Sequence, residues 1–164
     1  MKIRDEIPGD HAVIGRLVAD AFRDMPHAQG DEAGIVDRLR AAGDLTLSRV
    51  AVIAGEVVGH VAASPVAIGT LEGWVGIGPV AVLPALQRQG IGSALMRDAL
   101  DRLKAIGPAG VVLVGEPAFY GRLGFAPVEG LTVKDVPPEY VLAVSFGETI
   151  PQGEIVFHAA FGLE

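Results

Sequence analysis

The 164-residue chain contains no cysteine. Disulfide bonds, thiolate metal sites and a covalent cysteine intermediate are therefore excluded. Basic residues are also few: 13 lysines and arginines stand against 20 acidic residues, and the net charge is -7. The basic residues form no cluster, whereas binding to nucleic-acid phosphates depends on clustered lysine and arginine. The sequence therefore predicts no nucleic-acid partner.

The chain has no long hydrophobic run either. No uncharged apolar segment reaches the roughly 20 residues that a membrane-spanning helix needs. The charged stretch Lys2–Glu6 stands where a signal peptide would have its apolar core. We therefore expect a cytoplasmic protein with no membrane partner. Half of the residues are apolar, which suits one folded domain over residues 1–164.

Strand and helix patterns alternate along the chain. Segments rich in valine and isoleucine predict strands at 1–7, 45–54, 57–68, 73–83, 111–115, 131–134 and 141–146. Helical spacing of apolar residues predicts helices at 10–22, 31–43, 93–106 and 118–123. Asp10 and Asp31 can cap the first two helices, and Gly55-Glu56 predicts a hairpin turn. The helix 93–106 joins two apolar strands, which predicts a right-handed parallel unit.

One predicted strand contains residues that disturb pairing. Gly76, Gly78 and Pro79 all fall within the segment 73–83. Proline cannot donate a hydrogen bond to a neighbouring strand, and glycine weakens strand packing. We therefore expect a bulge or local splaying near Gly78.

The segment from Val80 to Met96 has the pattern of a strand, a glycine loop and a helix start. The first N–H groups of a helix lack intrahelical partners, and the aligned peptide dipoles place about half a positive charge there. Gly90 and Gly92 lack Cβ atoms, so the backbone can take unusual φ values and a diphosphate can approach it closely. The sequence therefore predicts a diphosphate site at this helix start.

Two known phosphate-binding motifs fit the segment poorly. A P-loop nucleotide hydrolase would require a lysine at the helix start, and Gly92-Ser93 has none between its residues. A dinucleotide-binding motif would carry a third glycine, where this chain has Leu95, and would reach its first glycine sooner after the strand. Glu116 keeps dinucleotide binding open, because an acid after the next strand can bind a ribose hydroxyl.

A third interpretation comes from a resemblance. Gln87-Arg-Gln-Gly-Ile-Gly92 resembles the Gln/Arg-x-x-Gly-x-Gly/Ala signature of the GNAT superfamily of acetyl-CoA-dependent N-acetyltransferases. Tyr120-Gly-Arg-Leu-Gly-Phe125 resembles the Tyr-x-x-x-Gly-Phe segment that follows the next strand in these enzymes. Together with Gly59–Pro65, these segments are similar to a bacterial YhbS-like branch. Many members carry an asparagine beyond the second core strand, and here Gly115-Glu116-Pro117 stands in that region.

The resemblance implies an α/β (α+β) fold: one GNAT-like domain with a mixed central sheet, flanking helices and a splayed cleft between the two central parallel strands. It implies acetyl-CoA as co-substrate and no metal. Backbone groups of one strand segment would bind the pantetheine arm, namely Val80, Ala81 and Val82. The following loop and helix start would hold the diphosphate, through Gln87, Arg88, Gln89, Gly90, Ile91, Gly92 and Ser93.

The implied reaction is direct transfer of the acetyl group to a primary amine in a ternary complex, because the chain has neither a cysteine nor a Gly-x-Ser-x-Gly elbow. Tyr120 matches the family position that protonates the departing thiolate, and a phenol with a pKa near ~10 suits that task. The amine must lose a proton before it attacks. His60, Glu72 and water remain as alternatives for the general base.

The acceptor is an amine of a small molecule, a peptide or a protein. The resemblance assigns the loop 23–30 to its pocket. Asp24 or Asp31 could attract a cationic amine, although helix capping also explains Asp31. The histidines are too scattered to suggest a metal site, these being His11, His27 and His158. A homodimer is left open. The competing hypothesis on the same fold is a non-catalytic module that binds or senses acyl-CoA.

Overall fold

The computed structural model describes residues 1–25 and 30–162. The chain forms two compact units. The first unit comprises Met1–Ala63 and Gly78–Asp101, and the second comprises Ser64–Ile77 and Arg102–Glu164. The single domain over residues 1–164 stays a prediction.

The first unit contains the amino-terminal helices and strands. Its elements are β1 (Lys2–Asp5), α1 (His11–Phe22), α2 (Glu32–Ala42), β2 (Leu47–Ile53), the first part of β3 (Glu56–Ile68), the last part of β4 (Leu71–Val82) and most of α3 (Ile91–Ile106). β1 pairs with β2, and β2 with β3, both antiparallel. The β2–β3 turn is Ala54-Gly55, with φ of 53° and 80°, one residue earlier than predicted. Two residues with positive φ are what a tight hairpin turn requires.

The core of the first unit lies between α1 and the strands. Residues at helical spacing on α1 are buried, and they pack with α2, β2 and β4; the cluster is Ile14, Leu17, Val18, Ala21, Val36, Val50 and Ala81. This spacing in the sequence is the reason why the helix was predictable. The burial of apolar side chains on one face also fixes which face of β2 turns toward α1.

The predicted helix caps are only partly confirmed. Asp10 and Asp31 occupy the N-cap positions of α1 and α2, but neither side chain makes a capping bond. The Asp10 carboxylate instead accepts hydrogen bonds from Arg4 at 2.7 Å and from the Ile7 backbone at 2.8 Å. The Asp31 carboxylate pairs with Arg38 at 2.8 Å. A charged arginine partner competes successfully with a backbone N–H for the same oxygen.

The second unit contains the carboxy-terminal strands. Its further elements are β5 (Gly110–Val114), α4 (Pro117–Tyr120), β6 (Ala126–Pro127), β7 (Leu131–Thr132), β8 (Val141–Ser145) and β9 (Gly153–Val156). β4 and β5 are parallel, whereas β8 is antiparallel to both β5 and β6. β9 is antiparallel to β3 and parallel to β7. The predicted parallel pairing of the strands on either side of α3 is confirmed by β4 and β5. The strands β6 and β9 were not predicted, because two and four residues leave little sequence pattern.

The parallel pairing of β4 with β5 is short. It covers Val75 with Val111 and Gly76 with Val112, and the Gly78-Pro79 step, whose peptide bond is cis, follows two residues later. The sequence predicted a disturbance of strand pairing at this step. Gly76 itself has a packing role, since a Cβ there would lie 3.0 Å from the Val66 side chain.

The described helices give no sign of a membrane span. None of those in residues 1–25 and 30–162 has the length and apolar character that crossing a bilayer requires.

Candidate active site

The amino terminus of α3 presents free backbone N–H groups. The helix begins at Ile91, two residues earlier than predicted. Its first intrahelical bond runs from the Ala94 N–H to the Gly90 carbonyl oxygen at 3.0 Å. The N–H groups of Ile91, Gly92 and Ser93 precede that bond and have no intrahelical acceptor. They lie at the positive end of the helix dipole, where an anion is stabilised.

The loop before α3 has an unusual backbone conformation. Gly90 has a φ of 89° and Arg88 a φ of 65°, so two residues of this short loop are left-handed. A positive φ is uncommon for a residue with a side chain. Left-handed residues among right-handed or turn residues direct successive N–H groups into one concavity, a geometry that binds anions. Gly92, in contrast, is the second residue of the helix, so Gly90 is the glycine whose conformational freedom the loop needs.

The side chains of the loop divide into two groups. Gln87 donates a hydrogen bond from Nε2 to the Val82 carbonyl oxygen at 3.1 Å, which ties the loop to the end of β4. Arg88 and Gln89 are exposed, and within the described part of the chain Arg88 has no ion pair. Of these three side chains, the Arg88 guanidinium is the free cation beside the helix start.

Close packing of β3 fixes the position of α3. A Cβ on Gly59 would lie 2.8 Å from Leu95 and 3.1 Å from Ile91, both in the first two turns of α3. It would also lie 3.4 Å from the Ala81 carbonyl oxygen of β4. Glycine at position 59 therefore lets the helix start and the strand segment Val80–Val82 approach β3 closely. Leu95, which replaces the third glycine of a dinucleotide motif, is fully buried.

Tyr120 is the last residue of α4, in the second unit. Its ring meets the rings of Phe119 and Phe125 edge-on, with centroid distances of 4.8 Å and 6.0 Å. Burial raises the pKa of the Tyr120 phenol above its usual value. Within residues 1–25 and 30–162 its hydroxyl makes no hydrogen bond, so the structure does not support the view that this phenol merely satisfies a backbone group.

The segment Gly115-Glu116-Pro117 supports the Tyr120 ring. A Cβ on Gly115 would overlap the ring of Tyr120. Pro117 is the first residue of α4, and the Tyr120 N–H donates to the Glu116 carbonyl oxygen at 3.1 Å. The residue at position 115 must therefore leave room for the phenol ring.

The two candidate bases lie in different surroundings. His60, on β3 in the first unit, is fully buried, and burial lowers its pKa to about 4. Its Nε2 lies 2.8 Å from the Ser48 hydroxyl oxygen, whereas its Nδ1 has no hydrogen-bond partner. Glu72, in the second unit, is exposed at the amino end of β4, as expected of a solvated carboxylate.

A polar network beside His60 was not predicted from the sequence. The Ser48 hydroxyl donates to Glu6 at 2.5 Å, and Arg40 holds the same carboxylate with two hydrogen bonds of 2.8 Å. Burial alone would raise the pKa of Glu6, but the hydrogen bonds from Arg40 and Ser48 outweigh it and lower the pKa. The His11 side chain is partly exposed, and its Nε2 atom lies 3.2 Å from a carboxylate oxygen of Glu6. Glu6 follows β1, and the other residues lie on α1, α2, β2 and β3. No local motif could therefore reveal the network.

Among residues 1–25 and 30–162, no group of three or more acidic or histidine side chains is arranged so that it could hold a metal ion. His158 instead accepts a hydrogen bond from the Ala160 backbone at 3.0 Å. His27 lies outside the described residues, as does half of the loop 23–30 that was assigned to the acceptor.

Similarity to known proteins decides the family. Residues 46–127 match the acetyltransferase (GNAT) domain. Over 127 residues, the chain is 42% identical to the N-acetyltransferase YhbS of Escherichia coli K12; the match covers 76% of this chain and 73% of that protein. The chain belongs to the GNAT family. The predicted family is confirmed, and this GNAT protein is an acyltransferase.

Two solved structures extend the comparison to the whole fold. A GNAT family acetyltransferase from Brucella melitensis, solved in complex with acetyl-CoA, is 45% identical with a TM-score of 0.87, covering 98% of this chain and 97% of its own. Escherichia coli YhbS, solved in complex with CoA, is 32% identical with a TM-score of 0.89, covering 98% and 91%. The mixed α/β fold, with a mixed sheet flanked by helices, is confirmed as the fold of this GNAT protein.

Proposed function

We propose that this GNAT protein transfers the acetyl group of acetyl-CoA directly to a primary amine in a ternary complex. The observation that carries the proposal is the start of α3, where three free N–H groups follow a loop with left-handed residues at Arg88 and Gly90. Both solved relatives were crystallised with acetyl-CoA or CoA. The loop fits a diphosphate, because it offers N–H donors and one free guanidinium and carries no acidic side chain.

In this proposal the cofactor is held mainly by backbone atoms. N–H groups from Arg88 to Ser93 bind the diphosphate. The strand segment Val80–Val82 binds the pantetheine arm as an added strand would. Gln87 holds the loop against Val82, and Arg88 and Gln89 add side-chain contacts. When bound, acetyl-CoA supplies an activated thioester.

Tyr120 serves as the general acid. Its raised pKa keeps the phenol protonated at neutral pH, and its hydroxyl has no competing acceptor in the described residues. The phenol donates its proton to the sulfur as the C–S bond breaks. Because the chain has no cysteine, the amine nitrogen forms its bond to the acetyl carbon directly. The acceptor is a small-molecule amine or an amine of a peptide or protein.

The deciding experiment is an assay of CoA release against a panel of amines, polyamines, aminoglycosides, amino acids and peptides. The proposal predicts that at least one amine increases CoA release and becomes acetylated. Calorimetry with acetyl-CoA, CoA and NAD provides the control for the cofactor, with binding expected for the first two alone. Tight acetyl-CoA binding without transfer to any amine would instead favour a module that senses acyl-CoA.

A further inference from the structure

The carboxy-terminal segment of the second unit places an aromatic ring against β4. A Cβ on Gly76 would lie 3.2 Å from Cε1 and 3.4 Å from Cδ1 of Phe157. Glycine within a strand often marks a place where another group approaches the backbone closely. The absence of a side chain at position 76 therefore lets the Phe157 ring lie directly on the β4 backbone. Phe157 itself lies beyond residues 46–127, which match the GNAT domain.

The fold holds the Phe157 ring on both sides. Phe157 directly follows β9, which pairs with β3 and with β7. The ring of Phe161 lies 5.4 Å from the Phe157 ring, measured between centroids, at an angle of 38°. The His158 side chain caps the short turn that carries Phe161. The Phe157 ring is therefore fixed in place, and it is only partly buried, so one part of it remains free for contact.

Gly76 also marks the end of the pairing between β4 and β5. The last pair joins Gly76 to Val112, whereas β4 runs on to Val82 and β5 to Val114. Val112 is fully buried and belongs to the core cluster against which Phe157 packs. The Phe157 ring thus lies at the point from which the two parallel strands continue without pairing to each other.

The order of sites along β4 relates this point to the cofactor. In the proposed function the diphosphate lies at the start of α3, which follows β4, and the pantetheine arm lies along Val80–Val82. The arm starts from the diphosphate, so its far end, which carries the thioester, points back along β4 toward Gly76. The acyl group continues beyond the sulfur. Each methylene added to the acyl chain would therefore bring it closer to the Phe157 ring.

We propose that Phe157 restricts the acyl group to acetyl, because its ring closes the inner end of the pantetheine site where β4 and β5 cease to pair. Phe157 is then a specificity-determining residue, and the inference rests on the proposed function. A methyl group fits beside an apolar ring, whereas extra methylenes in a filled apolar site force the surrounding groups to move. The ring cannot move easily, since β9 and Phe161 hold it.

The test compares acetyl-CoA, propionyl-CoA and butyryl-CoA as donors to the amine that releases most CoA in the panel. One methylene in an apolar pocket changes kcat/KM by about 10- to 200-fold. The wild-type kcat/KM for butyryl-CoA should therefore be lower than that for acetyl-CoA by at least about 10²-fold. Phe157→Ala removes the ring and should bring the two values within about tenfold of each other, with little change for acetyl-CoA.

Calorimetry with the same three acyl-CoA esters, without any amine, gives a second readout that does not depend on transfer. Wild-type affinity should fall from acetyl-CoA to butyryl-CoA, and Phe157→Ala should abolish the difference. If no amine in the panel is acylated, the proposed function is overturned. The affinity series still decides whether Phe157 limits the acyl group.

Phe146→Ala is the matched control. Phe146 is a partly buried phenylalanine of the same unit, and its ring lies against the Lys104 ammonium group at 5.7 Å. Loss of this ring should leave the preference for acetyl-CoA unchanged. Phe157→Leu provides a smaller apolar side chain with milder loss of packing and should admit propionyl-CoA. Unfolding curves establish that each variant is folded.

Three results would overturn the role of Phe157. The first is a wild-type protein that binds and transfers butyryl as readily as acetyl. The second is a folded Phe157→Ala protein, or a folded Phe157→Leu protein where the alanine variant does not fold, that keeps the wild-type preference. The third is an equal change of preference in Phe146→Ala, which would indicate general loosening of the unit.

Discussion

Gly115 leaves the space that the Tyr120 ring fills, since a Cβ at position 115 would overlap that ring. Gly115, which precedes the N-cap residue of the short helix α4, thus determines where the phenol can lie. The contact can be tested without changing the phenol itself.

Gly115→Ala should displace the Tyr120 ring and lower the rate of acetyl transfer by about 10²-fold, the effect of misplacing a catalytic group by about 1 Å. Acetyl-CoA affinity should change little, because the proposed diphosphate contacts come from the backbone of another segment. Gly121→Ala is the matched control: Gly121 has a φ of -59° and open space around its Cβ position. Steady-state kinetics on both variants decide the matter. Equal rates in the two variants would disprove the positioning role.

Tyr120→Phe keeps the ring and removes the hydroxyl. If the phenol is the general acid, the single-turnover rate should fall by roughly 10²- to 10⁴-fold with nearly unchanged acetyl-CoA affinity. Tyr140→Phe changes a partly exposed tyrosine and should leave the rate unaffected. Full single-turnover activity in a folded Tyr120→Phe protein would remove this residue from the chemistry.

Gly90→Val should weaken acetyl-CoA binding. Gly90 has a φ of 89°, a conformation that a β-branched residue resists, so the N–H groups of the loop would lose their arrangement. Gly43→Val is the matched control, because Gly43 has a φ of 75° and equally open surroundings at the end of α2. Each variant should cost about 1–3 kcal/mol of stability from backbone strain. Calorimetry should show the loss of affinity in Gly90→Val alone; unchanged affinity there would place the diphosphate elsewhere.

His60 should make the protein less stable in acid. Its pKa is about 4 in the folded protein against 6.5 in the unfolded chain, so the unfolded chain binds the proton first as pH falls. The stability contributed by neutral His60 is complete above pH 6.5 and is lost between pH 6.5 and 4, up to about 3 kcal/mol. The free energy of unfolding of His60→Gln should fall less over this window, as denaturant titration can show. Identical pH dependence in both proteins would contradict the burial of a neutral imidazole.

The sequence predicted those parts of the molecule that depend on local pattern. The spacing of Ile14, Leu17 and Val18 predicted α1, and the apolar pattern after the glycine loop predicted α3, because both signals lie within one continuous segment. The anion site at the start of α3 stays a prediction. The short strand β6 pairs with β8, and the short strand β9 pairs with β3. Strands of so few residues have no sequence pattern from which they could be predicted.

The polar network shows the same limit at the candidate site. Glu6, Arg40, Ser48 and His60 come together only after β2 and β3 pair and α2 packs against them. Their separation in the chain hides this network from a search for local motifs. The carboxylates of Asp10 and Asp31 likewise form ion pairs with Arg4 and Arg38, which are not part of the capping pattern. The cytoplasmic location stays a prediction, and a homodimer stays open.

The most direct test of the account is a rapid-quench experiment in which the protein, acetyl-CoA carrying an isotope-labelled acetyl group and an accepted amine are mixed and analysed by mass spectrometry. The account predicts that labelled N-acetylamine and free CoA appear together in equal amounts, and that the protein never gains the mass of an acetyl group. Release of CoA without acetylated amine, or a protein that carries the label before the amine is added, would contradict direct transfer.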